Sequence, residues 1–504
     1  MVLKPLFYDR AYNRRAVQLD WLEVESCSWA AVGGPERAAL VGYGRGRLEL
    51  PELLDMLRCP VSLLDGGGNA AWWGYLHGFT MWQGRTGLRC TLDNLANRLR
   101  VIYTLIDSSS GGAGSRGTTD WANDLFSQSI YGVKEKTISL QAATVLQAES
   151  LRALDLADWN YPICVPVIDS QSHAGGEISI DLRGWWGTAG WRNYSQVGGV
   201  VEHVKEGKQI LYVAWDAHHA KTAQSFTVTA GGWKLENIWL RLGKWRLPPD
   251  DFRVEICADS SGHPGTSYGL VNLPAGSVNI PATWTNIPYT PAPAMAAGTY
   301  WLVLSRAGAV DTHDCYMVKG DESLSYAGGV LKEWDGSAWV GLTPDADMVF
   351  RVCGGMETTA QMALMGGSSF GGQFLAGVRM EVSSGLYGNP LRLGDRTSQA
   401  EIVSLLGVGD SAGNRLLCEV TADRYLRVYA QPADSSAVLV VNEAGILCNP
   451  WGQPIGLAER AAGEWAKVVG GWSGLGSPYA RIKDRFYLEK VAYDRVRGCL
   501  VVGG

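Results

Sequence analysis

From about His218 to Cys353 helical periodicity disappears from the sequence. Six short apolar-alternating runs replace it: "AQSFTVT", "LENIWLRL", "FRVEICAD", "GTYWLVLS", "CYMVKG" and "MVFRVCG". Pro- and Gly-containing turns separate them, at a spacing of roughly 8–12 residues. With no helical pattern between them, these strands have no crossover helix to join them in parallel. They bury their apolar faces by folding into two antiparallel sheets laid face to face, a β-sandwich or jelly roll. The text on either side has a different character, mixing strands with helical segments. Residues 218–354 therefore read as a module inserted into a host domain. Such an insertion is inexpensive, because closure entropy grows slowly with loop length and a folded insert has neighbouring ends.

The host segments are α+β. "SCSWAAVGGPERAALVGYG" reads as strand, turn, strand. "ELPELLDMLRCPV" reads as a short helix with Pro51 in its first turn and Leu53, Leu54 and Leu57 on one face. "AAWWGYLHGFTMWQG" with "TGLRCTLDNLANRLRVIYTLI" predicts a hairpin turning at glycine and then a further strand. "DSSSGGAGSRGTTD" is a polar loop. "DWANDLFSQSI" predicts a helix with Trp121, Leu125 and Phe126 on one apolar face. "SLQAATVLQAESLRALDLADW" predicts a helix over 139–159 capped by Ser139. In "EISIDLRGWW", Ile178, Ile180 and Leu182 alternate with Ser179, Asp181 and Arg183, the pattern of a half-buried strand. Beyond residue 355, "TTAQMALMGG" and "TSQAEIVSLLGVG" read as helices, the second with a capping-box spacing from Ser398 to Glu401. "NRLLCEVTADRYLRVYAQP" and "DRFYLEKVAYDRVRGCLVVGG" read as hairpins. The expected fold class is mainly β with α+β portions, in two barrel-like domains plus an inserted β-sandwich. Their expected extents are 1–106 for the first barrel-like domain and 107–159 for a loop and helical segment. Residues 160–217 with 355–504 form the second barrel-like domain, and 218–354 the insert.

Composition narrows the function classes. The 504 residues are 46% hydrophobic and 19% charged, enough for packed cores. A net charge of −6 argues against general nucleic-acid binding. No apolar run approaches ~18 residues, so no membrane-spanning helix is expected. "MVLKPLFYDRAYNRR" has no apolar stretch of the secretory kind. The ten cysteines are scattered singly with no C-x-x-C pair, and read as reduced thiols of a chain made in a cytosol.

Chemical motifs are sparse. No P-loop, H-E-x-x-H or G-x-S-x-G is present, and "GYGRGRL" lacks the strand–Gly–helix context of a nucleotide site. "DAHHA" with His203 upstream, and "DTHDC" (Asp311 to Cys315), hold ligand-type residues but fit a domain boundary and a solvated turn. Asp259, in "ADSSGHPGTSYG", is a candidate Ca²⁺ ligand or the head of an Asx-type turn. Trp284, Trp334 and Trp339 lie in polar, turn-rich text and, with Tyr268, are the candidate ligand-stacking residues. Two Trp-Trp-Gly segments, Trp72-Trp73-Gly74 and Trp185-Trp186-Gly187, suggest one repeated structural position. Trp73, Trp186, Trp191 and Tyr194 are on that ground the candidate interface residues.

An ordered set of segments resembles the late-control-like tail-hub proteins of long-tailed bacteriophages. The set is "WWGYLHGFTMWQGRTGLRCTLDNLANRLRVIY", "SIYGVKEKTISLQAATVLQAESLRAL", "DLRGWWGTAGWRNY", "GGQFLAGVRMEVSSGL", "AEIVSLLGVGDSAGNRLLCEV", "RYLRVYAQP" and "FYLEKVAYD". The resemblance implies a homotrimer at the tail tip, made in the bacterial cytoplasm. Each subunit would give two barrel-like domains, so that three chains match a sixfold tail tube. It implies contact with a tail-tube or distal tail protein and other tip proteins, passage of DNA without specific binding, and no catalytic residue or cofactor. The insert resembles jelly-roll carbohydrate-binding modules, which implies a host-surface glycan as a further partner. A glycan-binding adhesin and a glycan-active enzyme with a sugar-binding module remain the alternative readings.

Overall fold

The computed structural model describes residues 3–16, 18–19, 21–43, 49–105, 115–196, 199–228, 233–290, 293–342, 345–433, 439–455, 462, 464–468, 485–495 and 499–502. Residues 44–48 of the "GYGRGRL" segment and 107–114 of the Gly/Ser-rich segment lie outside them. The fold is mainly β, with 52% strand and 14% helix, and two of its sheets are strongly curled half-barrels. The chain divides into two compact units. One comprises Met1–Tyr194, Met362–Ser383 and Gly394–Gly504; the other comprises Ser195–Gln361 and Ser384–Leu393.

The first unit is built on an eight-stranded sheet. Its order is Lys4–Phe7, Pro60–Leu64, Ala70–Thr91, Cys164–Arg183, Gly34–Tyr43, Glu23–Ala30, Lys490–Asp494, Cys499–Val502. Ile178, Ile180 and Leu182 point into the core, as their alternation predicts. The strand that carries them pairs with Ala70–Thr91 on one side and Gly34–Tyr43 on the other. Segments on both sides of the expected division at residue 106 thus share one sheet. The closing hairpin also joins this sheet, through Ser28 to Ala30 against Lys490 to Ala492.

Three local expectations need correction. The hairpin expected to turn at a glycine within this stretch is one long strand, Ala70–Thr91. Gly84, with φ 67°, marks a bulge where the partner strand loops out between Ile168 and His173, and both strands then continue. The Trp82 and His173 rings stack across this bulge at 4.0 Å. The helix expected from Ser139 starts later. Residues Glu135–Ala143 form a strand parallel to Arg98–Leu105, and the helix is Val145–Trp159, capped by a Thr144–Gln147 capping box. Ser139 alternates within a strand whose ladder outcompetes a helical turn. In the late helix Ser398–Val408 the cap is Thr397, whose hydroxyl accepts from the Ala400 amide; Ser398 is already buried inside the helix.

Helix α1 is Leu50–Met56, with Leu53 and Met56 buried. Helix α2 is Leu125–Tyr131, and α3 is Val145–Trp159. In α2 the inward residues are Ser127 and Tyr131, whereas Leu125 and Phe126 face solvent. The apolar side chains Leu125 and Phe126 therefore point to solvent rather than to the core. Asp124 fixes this rotation by accepting from the Ser127 amide, and the Ser127 hydroxyl contacts the Asn160 carbonyl. Trp121 stays outside that face, with the guanidinium carbons of Arg98 and Arg100 at 4.9 and 4.5 Å from its ring centre.

The second unit consists of two antiparallel sheets packed face to face. One is six-stranded: Pro264–Leu273, Phe252–Asp259, Gly298–Arg306, Lys221–Val228, Leu331–Trp334, Trp339–Gly341. The other is nine-stranded, with the path Val200–His203, Phe350–Glu357, Trp233–Trp245, Cys315–Asp321, Ile210–Val213. All six runs that define the sandwich in the sequence are strands. Val200–His203 and Ile210–Val213 belong to it as well, ahead of the change of text at residue 218. The sheets meet through Phe226 against Phe350 at 6.5 Å and Phe252 against Tyr316 at 5.0 Å. The buried Gln224 carboxamide oxygen accepts from the Met348 amide between them.

Candidate functional site

The "DLRGWWGTAGWRNY" segment is core. Trp185–Trp191 forms a 3₁₀ turn following the strand that ends at Arg183. Trp185, Trp191 and Tyr194 are buried. Trp185 lies 5.1 Å from the Tyr75 ring and 5.8 Å from Phe374; Trp191 lies 5.6 Å from Phe374, and Tyr194 lies 4.8 Å from Phe370. Trp73 is buried too, and its indole N–H donates to the Val420 carbonyl at 2.8 Å. These side chains are committed inside their own unit, which corrects their assignment as interface residues. Trp186 is half-buried beside Gly33, whose φ of 102° and close approach leave no room for a Cβ: an added one would stand 2.2 Å from the indole. The two Trp-Trp-Gly segments are not equivalent. Gly74 sits mid-strand against the Arg183 carbonyl, where a Cβ would fall 2.1 Å away, while Gly187 belongs to the 3₁₀ turn, where a Cβ would meet the Tyr75 hydroxyl at an ordinary 3.7 Å.

The exposed large apolar side chains of the described residues include four on α2 and α3. Leu125 and Phe126 are 75% and 68% exposed, and Leu146 and Leu154 are 77% and 65% exposed. Helix α3 docks by Ala148 onto Leu99, Val101 and Tyr103, with Leu156 and Trp159 alongside. Ala148 is its one fully buried residue. Leu146, Ala153, Leu154 and Ala157 follow a helical repeat on the outward side, so α3 has two apolar faces and packs with one. The neighbouring strand Glu135–Ala143 pairs with Arg98–Leu105 on one side; among the described residues its other edge carries no ladder. A periodicity count alone detects the apolar residues of α3 but not which face the sheet covers.

In the second unit the four ligand candidates are dispersed. By register with Lys221 and with each other, Trp334 and Trp339 stand on the outer face of the six-stranded sheet. Their rings meet edge-to-face at 5.6 Å, both half-buried. Trp339 leans on a small outer-face cluster of Ala223, Cys257, Trp301 and Val303. The buried Trp301 donates its indole N–H to Asp259 at 2.7 Å, and the Lys332 ammonium lies 5.7 Å above its ring. Lys332 is held by the Gly262 carbonyl at 2.7 Å and by His263 at 3.0 Å. Trp284 sits on the outer face of the opposite sheet, paired to Arg241 and 5.8 Å from the Arg351 guanidinium. Tyr268 packs edge-on to Tyr300 at 5.4 Å. Trp239 alternates outward, half-buried, because Ile238 and Leu240 take the inward positions.

Asp259 heads a turn. One carboxylate oxygen accepts from Trp301 and the other from the Gly262 amide, and these bonds hold its carboxyl below the usual carboxylate range, the Trp301 bond first. That geometry is a side-chain-capped, Asx-type turn, one of the two readings of this residue from the sequence. Among the described residues no group of three or more His, Cys, Asp or Glu is placed to hold a metal ion. His219 hydrogen-bonds Asp216 at 2.6 Å and His203 pairs with the buried Asp321 at 3.1 Å, in separate places. No described helix is long and apolar enough to cross a membrane.

No protein-family model matches the chain, and no curated protein does. Among solved structures the chain is similar to the clostridial cysteine protease Cwp84 after propeptide cleavage, with 8% identity and a TM-score of 0.22 over 36% of this chain and 45% of that one. It is similar to the cysteine protease and lectin-like domains of Cwp84 from Clostridium difficile, with 6% identity and a TM-score of 0.22 over 38% of this chain and 42% of that one. The chain thus spans less than half the length of these two structures. It is also similar to infectious bursal disease virus VP2, with 11% identity and a TM-score of 0.14 over 66% of this chain and 76% of that one. Similarity at these scores defines no shared function.

Proposed function

We propose that the chain is a structural component of a bacteriophage tail tip, a hub that caps the tail tube and organises the tip proteins as a homotrimer. Its work in this reading is assembly, not catalysis. The observation that carries it is the set of exposed apolar side chains on α2 and on α3. Leu125 and Phe126 on α2, and Leu146 and Leu154 on α3, stand largely in solvent, and exposed apolar side chains grouped on a surface are found at protein interfaces. The ordered resemblance of the host segments to tail hubs supplies the class of partner: a second copy of the chain, a tail-tube protein or a distal tail protein. Mixing the purified chain with the tube and distal proteins of its virion tests this. The expected result is co-elution of a complex holding three copies of the chain; a monomer with no affinity for those proteins overturns it.

A second reading concerns the sandwich. The Trp334–Trp339 pair, half-buried on an outer sheet face beside Lys332, favours attachment to a host-surface glycan. Binding of the full chain to immobilised host polysaccharide tests it, and absence of binding across a broad glycan array overturns it.

A further inference from the structure

Cys90 and Cys164 are direct partners across the antiparallel ladder between Ala70–Thr91 and Cys164–Arg183. No other two cysteines among the described residues face each other in a ladder. Both are free thiols. Two residues along, Pro166 pairs with Leu88. Proline has no N–H to exchange, so that pair occupies a non-hydrogen-bonded position. With a period of two, Cys90 and Cys164 occupy the same kind of position, where facing Cα atoms approach to about 4.5 Å. That spacing lies within the range a disulfide spans. Cys90 is fully buried; Cys164, the first residue of its strand, is half-exposed. Burial, and then a hydrogen bond with the Cys164 thiol, push the Cys90 thiol up to about 12. Facing each other in the ladder, the two thiols are neighbours, and the less buried Cys164 is the point of entry.

We propose that Cys90 and Cys164 form a redox-dependent disulfide site, oxidised by a small-molecule disulfide such as oxidised glutathione. The Cys164 thiolate attacks one sulfur of the small disulfide, forming a mixed disulfide and releasing one small thiol. Cys90 then gives up its proton and attacks the Cys164 sulfur, releasing the second small thiol. The two cysteines lose two electrons and two protons, and the small disulfide gains them. The bond closes the chain between residues 90 and 164, the stretch that holds α2 and α3. It ties the base of the segment with the uncovered apolar face. A chain made in a reducing cytosol and later exposed to an oxidising medium acquires this staple without moving its backbone. Only that consequence for assembly rests on the tail-tip reading; the bond itself does not.

The test treats the full-length chain with oxidised glutathione in mildly alkaline buffer. Free thiols are then alkylated and the protein is digested without reductant for mass analysis. The expected result is one linked peptide joining Cys90 and Cys164, two fewer alkylated cysteines and an unchanged far-ultraviolet spectrum. In Cys164→Ser, a change at a half-exposed strand end, the linked peptide is lost and Cys90 remains alkylatable after unfolding. Glutathione retained on Cys164 beside a free Cys90 overturns the proposal, as do two unmodified thiols or a linkage to another cysteine. Co-elution with tail proteins, measured separately on the oxidised and reduced chain, reports on the assembly reading alone.

Discussion

Replacing both Leu146 and Leu154 with glutamine is predicted to weaken assembly while leaving the isolated chain intact. Both side chains lie on the outward face of α3 and are mostly exposed. Full burial of a leucine contributes about 1.5–3 kcal/mol. Scaled by the fraction still open to solvent, the pair has about 2–4 kcal/mol to gain at an interface. Losing that gain weakens association by roughly 30- to 1,000-fold. Glutamine has nearly the helix propensity of leucine, and surface substitutions away from special features stay within about 0.5 kcal/mol, so the melting transition should hardly move. Sedimentation velocity over a range of concentrations measures the association, and thermal unfolding of the same samples measures the chain. An unchanged association constant refutes the assignment of this face to an interface. A melting temperature lowered by many degrees refutes the claim that the two side chains are uncovered.

Other parts of the structure make separate predictions. His77 is buried with one ring nitrogen on Asp93 at 2.9 Å and the other without a hydrogen-bond partner among the described residues, and burial, then the nearby Arg183 charge, pull its pKa from 6.5 down to about 4. The folded chain holds it neutral, so the stability it carries is full above pH 6.5 and is lost as the pH falls toward 4. Over that window the stability of the wild type relative to His77→Gln should fall by about 3 kcal/mol, measured by denaturant unfolding; a flat difference contradicts the assignment. Gly33→Ala meets both a φ of 102° and the Trp186 ring. It should cost about 2–4 kcal/mol in urea unfolding, and a change under 0.5 kcal/mol rejects the close packing of that turn. Thr144→Ala removes the α3 cap and should cost about 1 kcal/mol in the same assay, whereas Ser139→Ala should cost no cap energy. If the sandwich binds glycan, Trp334→Ala should lose about 1–3 kcal/mol of affinity for host polysaccharide in the full chain, by analogy with aromatic stacking on bases.

The sequence was most legible where one face of a strand is buried and the other is not. Ile178, Ile180 and Leu182 declare their side by alternation, and all six runs of the insert became strands. Pairing partners were hidden, because nothing near Cys164–Arg183 says that it lies between Ala70–Thr91 and Gly34–Tyr43. That pairing is also what joins segments expected in separate domains. A glycine-marked hairpin reads the same in sequence as a bulge, because a left-handed glycine such as Gly84 serves either. The helix from Ser139 failed for a related reason. Ala-rich text has helical propensity, but the parallel ladder to Arg98–Leu105 claims Glu135–Ala143 first. At the candidate sites, residue type gave too little. Trp73, Trp191 and Tyr194 are large aromatics that pack inward, while the uncovered face consists of ordinary leucines and a phenylalanine. Trp284 shares its polar setting with Trp334 and Trp339 but lies on the opposite sheet, a separation fixed only by strand register.

The location of the chain in the assembled particle tests the central claim most directly. An antibody raised against the sandwich unit and carrying a gold label can be applied to intact virions and viewed by electron microscopy. A hub at the tail tip predicts label confined to the distal end of the tail, in numbers consistent with three copies. Label on the capsid or along the tail shaft, or virions that carry none while the protein accumulates free in the lysate, would contradict the account.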